Sequence, residues 1–282
     1  MPATPPTPFA LSLSKGMLAC LAAIGMNAAN AADATPPFED SIAQRMQACT
    51  GCHGVQGRAT AGGYQPRLAG KPAGYLLHQL QNFQAGRRHY GPMTALVDPL
   101  SDDYLREIAA YFSALDVPYA APARSTATAV SLQRGEQLVR HGDPSRGVPA
   151  CNQCHGNTMM GVAPAIPGLL GLPHDYVISQ LGAWRTGKRQ AQSPDCMARV
   201  AQQLDPADID AVSHWLAAQP VPPAAKPLAA LPPGSKLPLA CGGVAIEAAA
   251  AAPVASAASA ATATAATATA TATAAAAAGT AP

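Results

Sequence analysis

The sequence predicts an all-α protein of two small helical domains in tandem. A set of blocks occurs twice in the same order, and apolar residues inside each copy recur at the i, i+3, i+4 spacing of a helix face. Across the same region no run alternates apolar and polar residues as a half-buried strand does. Only 12% of residues are charged and 5% aromatic, so each copy is too poor in core-building side chains to be well stabilised alone.

The first block is Cys49-Thr50-Gly51-Cys52-His53-Gly54, which returns as Cys151-Asn152-Gln153-Cys154-His155-Gly156. Next come Pro66-Arg67-Leu68-Ala69-Gly70, Tyr75, Gln79-Leu80 and Gly86-Arg87-Arg88. Their copies are Pro167-Gly168-Leu169-Leu170-Gly171, Tyr176, Gln180-Leu181 and Gly187-Lys188-Arg189. A helix over residues 73–85 gathers Leu76, Leu80 and Phe83, and its copy gathers Val177, Leu181 and Trp184. In the third block, Met93 precedes Leu100-Ser101-Asp102-Asp103 as Met197 precedes Leu204-Asp205-Pro206-Ala207. Ser101 is a good N-cap, and Asp102 and Asp103 suit the positive end of the helix dipole. Leu105, Ile108, Ala109 and Phe112 then form one stripe, repeated by Ile209, Val212, Ser213 and Leu216, with Trp215 in the place of Tyr111.

Outside the repeat, Lys15, the apolar residues 17–25 and the small residues 27–32 read as a secretory signal cut near Ala31. Cys20 suits a lipoprotein poorly, since the apolar run continues past it, and the apolar stretch is short for a membrane span. The expected compartment is the periplasm, with a membrane-anchored form and loose membrane association left open. The expected divisions are a signal peptide at 1–31, a first domain at 36–117 and a linker at 118–130. A second domain at 131–220, a Pro-rich extension at 221–247 and an Ala/Thr-rich low-complexity tail at 248–282 complete the chain. A net charge of +2 without a basic block excludes a nucleic-acid partner.

Cys-x-x-Cys-His places two thiols one helical turn apart with an imidazole beside them. That suits two thioether bonds to haem vinyl groups and a histidine bond to iron from one side. A zinc site would need its cysteine pairs about 15–20 residues apart, far closer than Cys52 and Cys151, and a dithiol redox pair would not need the histidine. Two covalent haem c groups are therefore expected, one wrapped by each domain, on Cys49, Cys52 and His53 and on Cys151, Cys154 and His155. Each iron needs a sixth ligand to shuttle electrons without binding small molecules. Met93 and Met197 are the candidates, because they hold equivalent places in the repeat and a thioether favours ferrous iron. They are expected in a loop folding over the haem. Met46, Met159 and Met160 read as packing. His78, His89, His141, His174 and His214 have no paired equivalents and read as ordinary surface or core histidines, with His89 as the weaker alternative distal ligand.

On these motifs residues 39–220 resemble the cytochrome c4 type of diheme class I cytochrome c. The resemblance implies two cytochrome c folds related by a pseudo-twofold, ligation by His53 and Met93 and by His155 and Met197, and carbonyls of Pro66 and Pro167 that accept hydrogen bonds from the two histidines. It also implies periplasmic electron delivery towards a terminal oxidase, with no catalytic residues. A quinol-oxidising complex is another redox partner of this kind. The alternatives are the cytochrome subunit of a periplasmic flavoprotein or quinoprotein dehydrogenase, and a diheme enzyme such as a thiosulfate dehydrogenase. A gas sensor ranks last, since neither copy lacks a candidate sixth ligand. The extension around Cys241 and the tail depart from a minimal carrier and point to a dedicated partner. With four thiols on haem and Cys20 in the leader, Cys196 and Cys241 remain, which suggests a disulfide in an exported chain. The competing reading has Cys196 as a thiolate ligand of the second iron.

Overall fold

A computed structural model describes residues 40–60, 64–122, 124–223 and 225–244. The signal segment and the Ala/Thr tail lie outside the described residues. The first copy contains α1 (Ile42–Arg45), α2 (Gln47–His53), α3 (Ala73–Gln84), α4 (Gly91–Val97) and α5 (Asp102–Ala114). The second contains α6 (Ala129–His141), α7 (Cys151–His155), α8 (His174–Arg185), α9 (Cys196–Gln203) and α10 (Pro206–Ala218). The architecture is helical as expected, with one local difference. Gly161–Val162 (β1) pairs antiparallel with Ile166–Pro167 (β2). Strands of two residues carry no periodicity that a sequence could reveal.

Caps fix the helix starts. Ser101 accepts the Tyr104 N–H at 3.3 Å, and Asp205 accepts that of Asp208 at 2.8 Å. Thr128 does the same for Ser131 at the head of α6. The stripe of α5 is buried against α3, and Met46 and Phe83 join it in the core of the first copy. The second copy has its own core, where Met159 and Met160 are buried beside Leu138, Leu181 and Trp215. On α10 burial extends beyond the expected stripe to Ala211 and Trp215, because α6 covers its other side. The two helices cross at Gly135, where a methyl group would meet the Ala211 carbonyl and lie 2.8 Å from Trp215 Cβ. Gly135→Ala is therefore expected to destabilise the protein by about 1–3 kcal/mol in chemical denaturation, despite the better helix propensity of alanine.

The extension returns along the second copy. Leu228 donates to Gly161 at 2.9 Å and accepts from Ala163 at 2.7 Å, and Lys226 pairs with Asp116 of the first copy at 2.9 Å. Cys196 and Cys241 are joined in a disulfide with their Cα atoms 5.0 Å apart. Bonded in this way, Cys196 has no thiolate to offer as a ligand. Cys241→Ser is expected to expose one titratable thiol at position 196 and to lower stability by about 2–4 kcal/mol, the usual range for a closed loop of this class. An unchanged thiol count would contradict the pairing.

Candidate functional site

Both Cys-x-x-Cys-His segments are short helices, so Cys49 with Cys52 and Cys151 with Cys154 stand one turn apart with the histidine beside them. Glycine ends each helix: Gly54 and Gly156 have φ of 75° and 80°, and a methyl group on Gly54 would meet the Ala59 carbonyl carbon at 2.8 Å. His53 Nδ1 lies 2.8 Å from the Pro66 carbonyl and His155 Nδ1 2.7 Å from that of Pro167. Burial pushes both imidazoles below the usual histidine range, against the carbonyl contacts that raise them. Each ring is then neutral, with Nδ1–H donating to the carbonyl and the Nε2 lone pair left for a metal. Burial also raises the Cys151 thiol to about 12, with Cys154 adding to it, so this sulfur is no thiolate and the pair does not resemble a redox dithiol.

A cavity of about 740 Å³ runs through both copies, and all ten sequence-predicted site residues line it: Cys49, Cys52, His53, Pro66, Met93, Cys151, Cys154, His155, Pro167 and Met197. Met93 and Met197 do not sit in a loop. They occupy the first turns of α4 and α9, where the Asp195 side chain caps the latter by accepting the Ala198 N–H. His78 and His89 also reach the cavity wall, as does Met46 from the core of the first copy, whereas Met159 and Met160 belong to the core of the second. The surface of the wall is mainly apolar, with leucine its commonest residue, and suits a flat apolar group.

Its polar features suit acidic substituents on that group. Arg67, Lys71 and Arg189 are buried, and among the described residues none of them pairs with a carboxylate. Trp184 Nε1 is buried without a hydrogen-bond partner. An anion such as a haem propionate would balance the charge of the three cations and give Trp184 Nε1 an acceptor, so the chemistry of the wall fits the cofactor. Arg88 donates to Tyr176 and Gln180, and Arg189 donates to Gln79 at 2.7 Å, so each copy's arginine reaches into the other. The backbones meet there too, Gln190 N–H donating to the Arg87 carbonyl at 2.7 Å. Lys71 Nζ donates to the Gly168 carbonyl at 2.8 Å, one residue beyond the carbonyl that orients His155. Burial, then Arg67, brings this ammonium down to about 7. Its counterpart is Leu172, so the second histidine has a buried amine near its support that the first lacks.

Sequence reading assigned no role to this cross-copy cluster. The signal was present: Tyr75, Gln79 and Arg88 are each identical in the second copy, and polar residues kept on an otherwise apolar helix face mark a buried contact.

No family model matches the chain. It is 38% identical over 175 residues to the thiosulfate dehydrogenase electron acceptor of Thiomonas intermedia, covering 62% of this chain and 80% of that protein. It is 37% identical over 189 residues to cytochrome c4 of Stutzerimonas stutzeri, covering 61% and 84%. Among solved structures it is similar to reduced cytochrome c4 from Pseudomonas stutzeri, with TM-score 0.54 and 35% identity over 61% of this chain and 93% of that one. A thiosulfate dehydrogenase from Marichromatium purpuratum matches with TM-score 0.56 and 33% identity, over 61% of this chain and 36% of the other.

Proposed function

Because the chain belongs to the cytochrome c4 family, we propose that it acts in the periplasm as the electron acceptor of a thiosulfate-oxidising dehydrogenase and passes electrons on towards a terminal oxidase or another high-potential acceptor. It is a diheme electron carrier with two covalently bound haem c groups. The choice of donor rests on the relatives from Thiomonas intermedia and Stutzerimonas stutzeri, at 38% and 36% identity, both named for accepting electrons from thiosulfate dehydrogenase. The periplasmic placement rests on the leader read in residues 1–31 and on the Cys196 to Cys241 disulfide, which suits an oxidising compartment. Among the described residues no helix is long and apolar enough to cross a membrane.

Bound haem supplies a one-electron ferric/ferrous couple. Cys49 with Cys52 and Cys151 with Cys154 would hold it through thioether bonds. The Pro66 and Pro167 carbonyls keep the proton on Nδ1 of His53 and His155, so each Nε2 would be free to hold the iron. Met93 and Met197 would offer it soft thioethers, which favour the ferrous state and would exclude small ligands. With the first domain read as 36–117 and the second as 131–220, each would carry one such set. Arg67 ties the start of the linker to the first unit by donating to the carbonyls of Ala69, Val117 and Pro118, with its guanidinium 3.7 Å above the Tyr119 ring.

The test is anaerobic stopped-flow mixing of the ferric protein with a thiosulfate dehydrogenase and thiosulfate. Full reduction of both haems at a rate set by enzyme concentration supports the assignment. Failure there, with rapid reduction by a quinol-oxidising complex, would move the carrier to a different donor.

A further inference from the structure

The sequence separates His174 from His214 by a long stretch and treats both as ordinary. In the fold His174 opens α8, while Asp210 and His214 stand one turn apart on α10, facing it. The two imidazoles stack with centroids 3.9 Å apart and planes 26° from parallel. Both Nε2 atoms face one carboxylate oxygen, Asp210 Oδ1, at 3.3 Å from His174 and 3.6 Å from His214. These separations are long for charge-assisted hydrogen bonds, which run about 2.7–2.9 Å. They are close to the edge of a tetrahedron with metal–ligand bonds of about 2.0–2.2 Å, roughly 3.3–3.6 Å.

The far side of each ring strengthens the case. His174 Nδ1 lies 2.8 Å from the Asp175 carboxylate, so the proton of a neutral ring sits on Nδ1. That leaves the Nε2 lone pair facing another acceptor, the Asp210 oxygen. Two acceptors at this distance need a cation between them. His214 Nδ1 lies 3.4 Å from Ser125 Oγ of the linker, which leaves its Nε2 directed at the same oxygen. Outer oxygens that orient imidazoles in this way are the usual supports of ligating histidines. The three residues are partly exposed, so an ion can enter from solvent, and their donor atoms all lie within 4.8 Å of one another.

We propose that His174, His214 and Asp210 form a binding site for one divalent transition-metal ion of the zinc or copper type, separate from both haems. Two imidazole nitrogens and one carboxylate oxygen supply three ligands, and water completes the shell. The ion would join the head of α8 to α10 and, through Ser125, steady the end of the linker. First-copy equivalents of the two histidines are Ala73 and Ala110, so this device belongs to the second domain alone.

The experiment is equilibrium dialysis of the haem-loaded protein against Zn²⁺, with zinc and haem iron counted by mass spectrometry. One zinc per chain is expected. His214→Ala should abolish that stoichiometric zinc, and Asp175→Asn, which removes only a support, should weaken binding about 10–100-fold. His141→Ala, an exposed histidine elsewhere, serves as the control and should retain the ion. The haem spectrum and thermal midpoint without zinc establish that each variant is folded. Absence of zinc from the parent protein, or zinc retained by folded His174→Ala and His214→Ala variants, would overturn the proposal. In the first case a shared proton is the cation between the rings and Asp210.

Discussion

Met197→Ala is expected to open the sixth position of the second haem. Half of the reduced haem should then bind carbon monoxide, and the potential of that centre should fall by on the order of 0.1 V or more, within the roughly 0.8 V that axial ligands control. Removing a soft thioether withdraws the ligand that favours ferrous iron. Met93→Ala should do the same at the first haem only. The effects stay local because the two copies have separate cores, with Met93 packed against the first and Met197 against the second. Carbon monoxide difference spectra and a redox titration read both outcomes. A Met93→Ala protein that still excludes carbon monoxide would point to His89, which reaches the same cavity wall, as the distal ligand of the first haem.

Asp208→Asn is expected to cost about 3 kcal/mol of folding stability in denaturant titration, the lower end for removing one partner of a buried ion pair. The Asp208 carboxylate is buried in α10, where it accepts Arg134 Nε at 2.8 Å and Arg146 Nη2 at 2.5 Å. Its loss strands two guanidinium groups, but these side chains remain 38% and 32% exposed, so water recovers part of the cost. Asp143 bonds the same two arginines at 3.1 and 2.9 Å and closes the network.

The pH dependence follows from the same contacts. Burial alone would raise the Asp208 carboxyl, but donors from Arg134 and Arg146 outweigh it and hold it below the ordinary 3.8. Ser145, then Arg134, together with Arg146, hold Asp143 far below that value. For a depressed carboxyl the unfolded chain binds the proton more readily, so the stabilisation is complete above about pH 4 and is lost as pH falls through the folded values. The parent should lose stability on that acid limb, and the Asp208→Asn protein should show a shallower one. Thermal midpoints between pH 2 and pH 7 measure the difference.

Sequence resolved what repeats and what is local. The Cys-x-x-Cys-His triplets, the capped final helices and their apolar stripes were legible because every interacting residue lies within one or two turns. The helical setting of Met93 and Met197 was not, since Gly91, Pro92 and Pro194 look like loop residues. There Pro92 lies at the start of α4, where its missing N–H costs nothing, and Asp195 caps α9. The contacts of Arg88 with Tyr176 and Gln180 join the copies, and no spacing within one copy predicts how it meets the other. His174, Asp210 and His214 escaped notice for another reason. His174 opens α8 while Asp210 and His214 lie on α10, far apart in sequence, and the first copy offers no parallel to draw attention to them.

The disulfide and the haem attachments make opposite demands on sulfur. Cys49, Cys52, Cys151 and Cys154 must be reduced when their thioethers form, while Cys196 and Cys241 must be oxidised. On the proposed periplasmic route Cys241 emerges after Cys49, Cys52, Cys151 and Cys154, so the correct partner of Cys196 arrives after these competing thiols. Short loops close more readily than long ones, so an indiscriminate oxidant joins Cys151 to Cys154 before it can join Cys196 to Cys241. Maturation therefore requires a reductant that keeps the attachment pairs open and an oxidant or isomerase that acts after the extension has emerged. The yield of finished protein is therefore expected to depend on that order of thiol chemistry as well as on the supply of haem.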